Sequence, residues 1–107
     1  MKTFGTLISE ARRAKGVSQK DLAAKVKKKE DGQAISAQYL NDIEHDRRNP
    51  PSEFLIAQMA ELLSISKDGL LLAAGTIPEE LQRIARAQPD KVGKAFKAFR
   101  RTVKENK

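Results

Sequence analysis

The sequence predicts an all-α fold, five short helices over residues 1–75 followed by a helical extension over residues 76–107. Three observations carry this. Apolar residues recur at the 3.6-residue spacing of half-buried helices. The pattern apolar–Ser–three residues–apolar occurs three times, at Val17-Ser18…Leu22, Ile35-Ser36…Leu40 and Ile65-Ser66…Leu70. No segment alternates with period two over the length of a strand.

In chain order, Phe4, Leu7, Ile8, Ala11 and Ala14 form the stripe of a first helix over residues 3–15, stopped at Gly16. Ser18 is the N-cap of the second helix, with Asp21 completing a capping box and Val17 stapling onto Leu22. Ser36 opens the third helix in the same way, with Ile35 stapling onto Leu40. Pro50-Pro51-Ser52 breaks the chain and opens a fourth helix, Glu53–Leu63, with Leu55, Ile56, Met59, Leu62 and Leu63 turned inward. Ser66–Ala74 is the fifth, closed by Gly75, and Pro78 and Pro89 suit the first turns of two more.

At 107 residues the chain is one domain with room for a small accessory unit. Its net charge of +7 points to a polyanionic partner, with nucleic acid ahead of an acidic membrane surface. There is no cysteine, which excludes disulfides and thiolate metal sites, and one histidine, His45, which cannot build a zinc site without an unusual carboxylate set. No apolar run approaches the roughly 20 residues of a membrane span, and residues 1–15 lack the apolar centre of a signal peptide. The expectation is a cytoplasmic, nucleoid-associated protein with no metal, no cofactor and no membrane anchor. No nucleophile stands beside an orienting base, so no catalytic residue is expected.

The segments ARRAKGVSQKDLAAKV and ISAQYLNDIEHDRRNPP resemble the phage-repressor/Cro-type (XRE) helix-turn-helix family of bacterial and phage transcription regulators. The resemblance covers residues 4–74. It is carried by Arg12, Gly16, Ser18-Gln19, Leu22-Ala23, the run YLNDIE from Tyr39 to Glu44, and Asn49-Pro50. It implies a five-helix repressor-like domain whose third helix, Ser36–Glu44, enters the major groove of double-stranded DNA.

On that helix Leu40 and Ile43 face inward, and Ala37, Gln38, Asn41 and Asp42 project the other way. Glutamine and asparagine can pair bidentately with adenine, alanine can touch a thymine methyl, and aspartate can accept from cytosine. The resemblance assigns base contacts to Ser36, Ala37, Gln38, Asn41 and Asp42. It assigns a phosphate clamp to Gln19, at a helix end that presents free N–H groups, and phosphate contacts to Arg47 and Arg48. Tyr39 either donates its hydroxyl to a phosphate or packs. Arg12 and Glu44 are implied to form a partly buried ion pair between the first and third helices.

Three features depart from the family pattern. KKKEDGQA intervenes before the third helix, and it either extends the second helix or forms a loop turned at Asp31-Gly32 that can bring Lys27, Lys28 and Lys29 to phosphates. Asp46 stands where glycine is usual after the recognition helix. Asp42 on a DNA-facing surface must read a base or be turned aside.

Residues 1–75 carry 12 Lys/Arg and 10 Asp/Glu, whereas residues 76–107 carry 9 and 4. In this basic tail Leu81, Ile84 and Ala85 form one stripe and Val92, Ala95, Phe96, Phe99 and Val103 another. The second, through Val92, Phe96, Phe99 and Val103, is expected to build a homodimer, or else to fold back on the chain's own core. The functional expectation is a sequence-specific, dimeric DNA-binding repressor. The alternatives are the antitoxin of a toxin–antitoxin pair, with the tail holding a protein partner, and a protein-interaction module of the same fold.

Overall fold

The computed structural model describes residues 2–105; Met1, Asn106 and Lys107, the ends of the two segments expected from sequence, lie outside them. The described residues form seven helices: α1 Phe4–Ala14, α2 Gln19–Lys25, α3 Ala37–Glu44, α4 Glu53–Leu63, α5 Lys67–Ala73, α6 Glu79–Ala87 and α7 Pro89–Glu105. They divide into two compact units, Met1–Thr76 and Ile77–Lys107.

Helix starts in the first unit follow from local capping. The hydroxyls of Thr3, Ser18, Ser36, Ser52 and Ser66 each accept from the backbone N–H three residues on, satisfying a donor that the helix itself leaves free. Thr3 is therefore the cap of α1 and not its first residue. At α2 the observed contact is the forward half of the capping box, from Asp21 N–H to Ser18. Pro78 precedes α6 as its cap residue, one position earlier than expected, whereas Pro89 is the first residue of α7.

The core gathers one face from each of these helices. Phe4 and Ile8 of α1, Leu22 of α2, Leu40 and Ile43 of α3, Ile56, Met59 and Leu63 of α4, and Leu70 and Leu71 of α5 are all buried. Ala14, expected on the inward stripe, is exposed at the last turn of α1. α3 packs against both α1 and α2, so it is seated from behind by two elements.

The run between α2 and α3 does not extend α2. Lys27 and Ala34 form an antiparallel bridge, Lys28 N–H donates to Gln33 O (2.8 Å), and Ile35 N–H donates to Val26 O (2.9 Å). The excursion turns at Asp31-Gly32, with Gly32 in the left-handed region (φ 69°). Val26 and Ile35, which close its base, are both core residues. Gln58 of α4 clasps it from the side: its Oε1 accepts from Lys27 N–H and its Nε2 donates to Lys27 O, both at 2.8 Å.

α3 ends in a Schellman turn, with Asp46 N–H bonded to Ile43 O and Arg47 N–H to Asp42 O. The residue in the left-handed position is Asp46 (φ 56°), and its side chain explains why glycine is not needed there. Asp46 Oδ1 accepts from Gly5 N–H (3.0 Å) and Oδ2 from the Thr3 hydroxyl (2.6 Å). A carboxylate thus sits on the positive end of α1, which offsets the backbone strain.

The second unit is a pair of helices, α6 and α7, packed on one another. No residue of α6 is buried, and in α7 Val92 and Phe96 reach half burial. Leu81, Ile84, Phe99 and Val103 remain 42%, 46%, 51% and 50% exposed. The hairpin closes no apolar core of its own.

Candidate DNA interface

The outer face of α3 is built from behind. Arg12 and Glu44 meet in a two-pronged pair, Nε to Oε2 at 2.7 Å and Nη2 to Oε1 at 2.9 Å, and Arg12 Nη1 also donates to Val17 O. Both residues are buried. Burial alone would push the Glu44 carboxyl up; hydrogen bonds from Arg12 and Gln19, with the charges of Arg12 and Arg13, outweigh it and hold the group below the usual carboxylate range. The Arg12 guanidinium is raised in turn, chiefly by its hydrogen bond to Glu44.

Gln19 carries this network to the surface. Its Nε2 donates to Glu44 Oε1 (2.9 Å) and to Asn41 Oδ1 (3.1 Å), so both amide hydrogens are used inside the chain. Gln19, for which a phosphate clamp was expected, is the first residue of α2 and stands beside that helix's free N–H end. Asn41 is held by its oxygen, and its Nδ2 donors take no part in this network.

The remaining positions divide by partner. Ser36 caps its own helix through Tyr39 N–H, and Ala37 and Gln38 are exposed. Gln38 Nε2 donates to Asp42 Oδ1 (3.0 Å). Asp42 is also paired with Arg47 (Nη1–Oδ1 3.5 Å) and Arg48 (Nε–Oδ2 3.6 Å). Tyr39 packs on the core with the Arg48 guanidinium 5.3 Å above its ring centre. Tyr39, Arg47, Arg48, Asn49 and Ser52 line one open groove, and Lys28, Ile35, Ser36, Tyr39 and Ser52 line its neighbour.

The three lysines are not equivalent. Lys28 lines the groove beside the start of α3 and pairs with Asp31 at 3.5 Å. Lys27 Nζ donates to Ala24 O (2.7 Å), and Lys29 lies 6.0 Å from the centre of the Phe54 ring on α4. Sequence reasoning missed the Asp46–α1 cap and the Gln58 clasp. Thr3 and Asp46 are ordinary capping residue types, but their partners lie some forty positions away.

A helix-turn-helix family model matches residues 8–70, more than half of the chain. The chain belongs to the XRE-type helix-turn-helix family. Members of the XRE-type family are DNA-binding transcription regulators, and the match takes in α2, the excursion and α3. Among solved structures, a chain of a SinR protein/SinI protein complex is similar in fold to this XRE-type protein. The two are 24% identical, the match covers 96% of this chain and 99% of that one, and the TM-score is 0.54. The comparison with curated proteins finds no match. No helix among the described residues is long and apolar enough to cross a membrane.

Proposed function

We propose that this XRE-type protein is a sequence-specific, dimeric repressor that lays α3 into the major groove. The observation that carries the reading is the division of α3. Leu40 and Ile43 are sealed in the core, while Ala37 and Gln38 stand exposed beside an Asn41 fixed from behind. In this arrangement Gln38 and Asn41 read base edges, with Ser36 and Ala37 beside them. Arg47, Arg48, Tyr39, Lys28 and the N-terminus of α2 follow the phosphates. A protein seated across a promoter represses by occupancy and needs no catalytic group.

Footprinting on genomic fragments tests the reading, and substitution refines it. Gln38→Ala or Asn41→Ala is expected to lose about 1–3 kcal/mol on the protected site while binding to random duplex barely moves. Equal losses on both duplexes would exclude base reading by these side chains.

Two half-sites lie about 34 Å apart in successive major grooves, so a two-fold dimer needs an interface outside α3. The coreless α6–α7 hairpin supports that role, through Phe99 and Val103 with the half-covered Val92 and Phe96. Sedimentation of the full chain should give a dimer, and a chain truncated after Gly75 or carrying Phe96→Glu/Phe99→Glu should give a monomer. The same species in all three samples would remove the hairpin from the interface. A different protein covering this face is the second reading, favoured by the SinI partner of SinR. A full-length monomer at all concentrations would favour it.

A further inference from the structure

Asp42 is a carboxylate on the surface expected to meet phosphates, yet it is not idle. Its side chain is 19% exposed, against 58% for each of the arginines it pairs with. Oδ1 is shared between Gln38 Nε2 and Arg47, and Oδ2 faces Arg48. The Schellman turn brings the two arginines back over the helix that Asp42 belongs to, with Arg47 N–H bonded to Asp42 O (2.9 Å). One residue therefore touches a base-reading candidate and both phosphate candidates that follow α3.

We propose that Asp42 sets sequence specificity as a positioning residue, holding Gln38 in its reading posture while drawing the charge of Arg47 and Arg48 away from the DNA backbone. The proposal rests on the DNA-binding reading above. Of the two Nε2 hydrogens of Gln38, one is bound to Asp42; the other, with Oε1, is left to face adenine N7 and N6. Ion pairs this long and this exposed are weak, so a phosphate at the right place displaces them. On random DNA, where the phosphates are not in register, the arginines stay partly neutralised. Sequence-independent binding is then suppressed and the operator is favoured by contrast.

The test uses the full chain with two probes, a random duplex and the duplex most enriched by in vitro selection with wild type. Asp42→Asn keeps an oxygen for Gln38 and removes the charge. It is expected to tighten binding to the random duplex about three- to tenfold and to steepen its salt dependence by up to about one unit per arginine released. In an Arg47→Ala/Arg48→Ala background the same change should do neither. Asp42→Ala, which also removes the oxygen, should lower the ratio of selected to random affinity by about tenfold. Equal effects of Asp42→Asn with and without the arginines overturn the proposal while leaving DNA binding intact. If neither wild type nor Asp42→Asn binds any duplex, both the proposal and the DNA-binding reading fall.

Discussion

Replacing Arg12 by alanine is expected to cost about 3–5 kcal/mol of folding stability, because Glu44 is left buried without its counter-charge. The full stability of a domain this size is about 5–15 kcal/mol, so the variant should be largely unfolded at modest denaturant concentrations. Three donors converge on Glu44, two from Arg12 and one from Gln19, and an alanine leaves only the last. A paired change to apolar residues, Arg12→Met/Glu44→Leu, should restore much of the stability, since no stranded charge remains. It should not restore operator binding, because Gln19 would lose the carboxylate that orients it toward Asn41. Recovery of both together would show that Asn41 does not depend on the network.

The same pair gives stability a pH dependence of known sign. The Glu44 carboxyl is held below its ordinary value in the folded chain. Its contribution is therefore complete above the unfolded value of about 4.3 and is lost as pH falls through the lower folded value. Denaturation midpoints of wild type should fall across that acid window, and those of Glu44→Gln should fall less.

The second large effect is expected at Gly5. Alanine in place of glycine within an exposed helix ordinarily stabilises by up to about 1 kcal/mol. Here an added Cβ would lie 2.6 Å from Glu44 O and 2.7 Å from Asp46 Oδ1, with Ile43 O closer still. Two of these atoms are backbone carbonyls at the end of α3 and cannot step aside. α1 must instead move off α3, which breaks the Asp46 cap, and the expected loss is about 3 kcal/mol or more. Gly93 in α7 is the matched control, because nothing lies within 4 Å of its added Cβ. Gly93→Ala should stabilise slightly or be neutral. A neutral Gly5→Ala would mean that α1 slides on α3 without cost.

What could be read from the sequence is what is local. The serine caps were legible because donor and acceptor lie three residues apart, and the turn at Asp31-Gly32 because both residue types favour it. Gln19 was placed correctly at the first turn of α2, but its partners sit on α3 and emerge only when the two helices cross. The same holds for Asp46, which the sequence shows only as a departure from the usual glycine, because the groups its carboxylate caps lie on α1. Choosing between a longer α2 and a loop required Gln58, which is remote in sequence from the run it clasps. In the tail the apolar stripe was visible; which of its residues become covered depends on packing that periodicity does not encode.

The excursion between α2 and α3 has an evolutionary meaning. Because Val26 and Ile35 hydrogen-bond across its base, the backbone enters α3 as though residues 27–34 were absent. Gln58 holds it from the side through a backbone amide and carbonyl, so that anchor is indifferent to which side chain position 27 carries. The segment is therefore a cassette whose length and charge can drift without altering the angle between α2 and α3. On the DNA-binding reading proposed above, a lineage retunes the charge at the edge of the bound site there while α3 stays where it is.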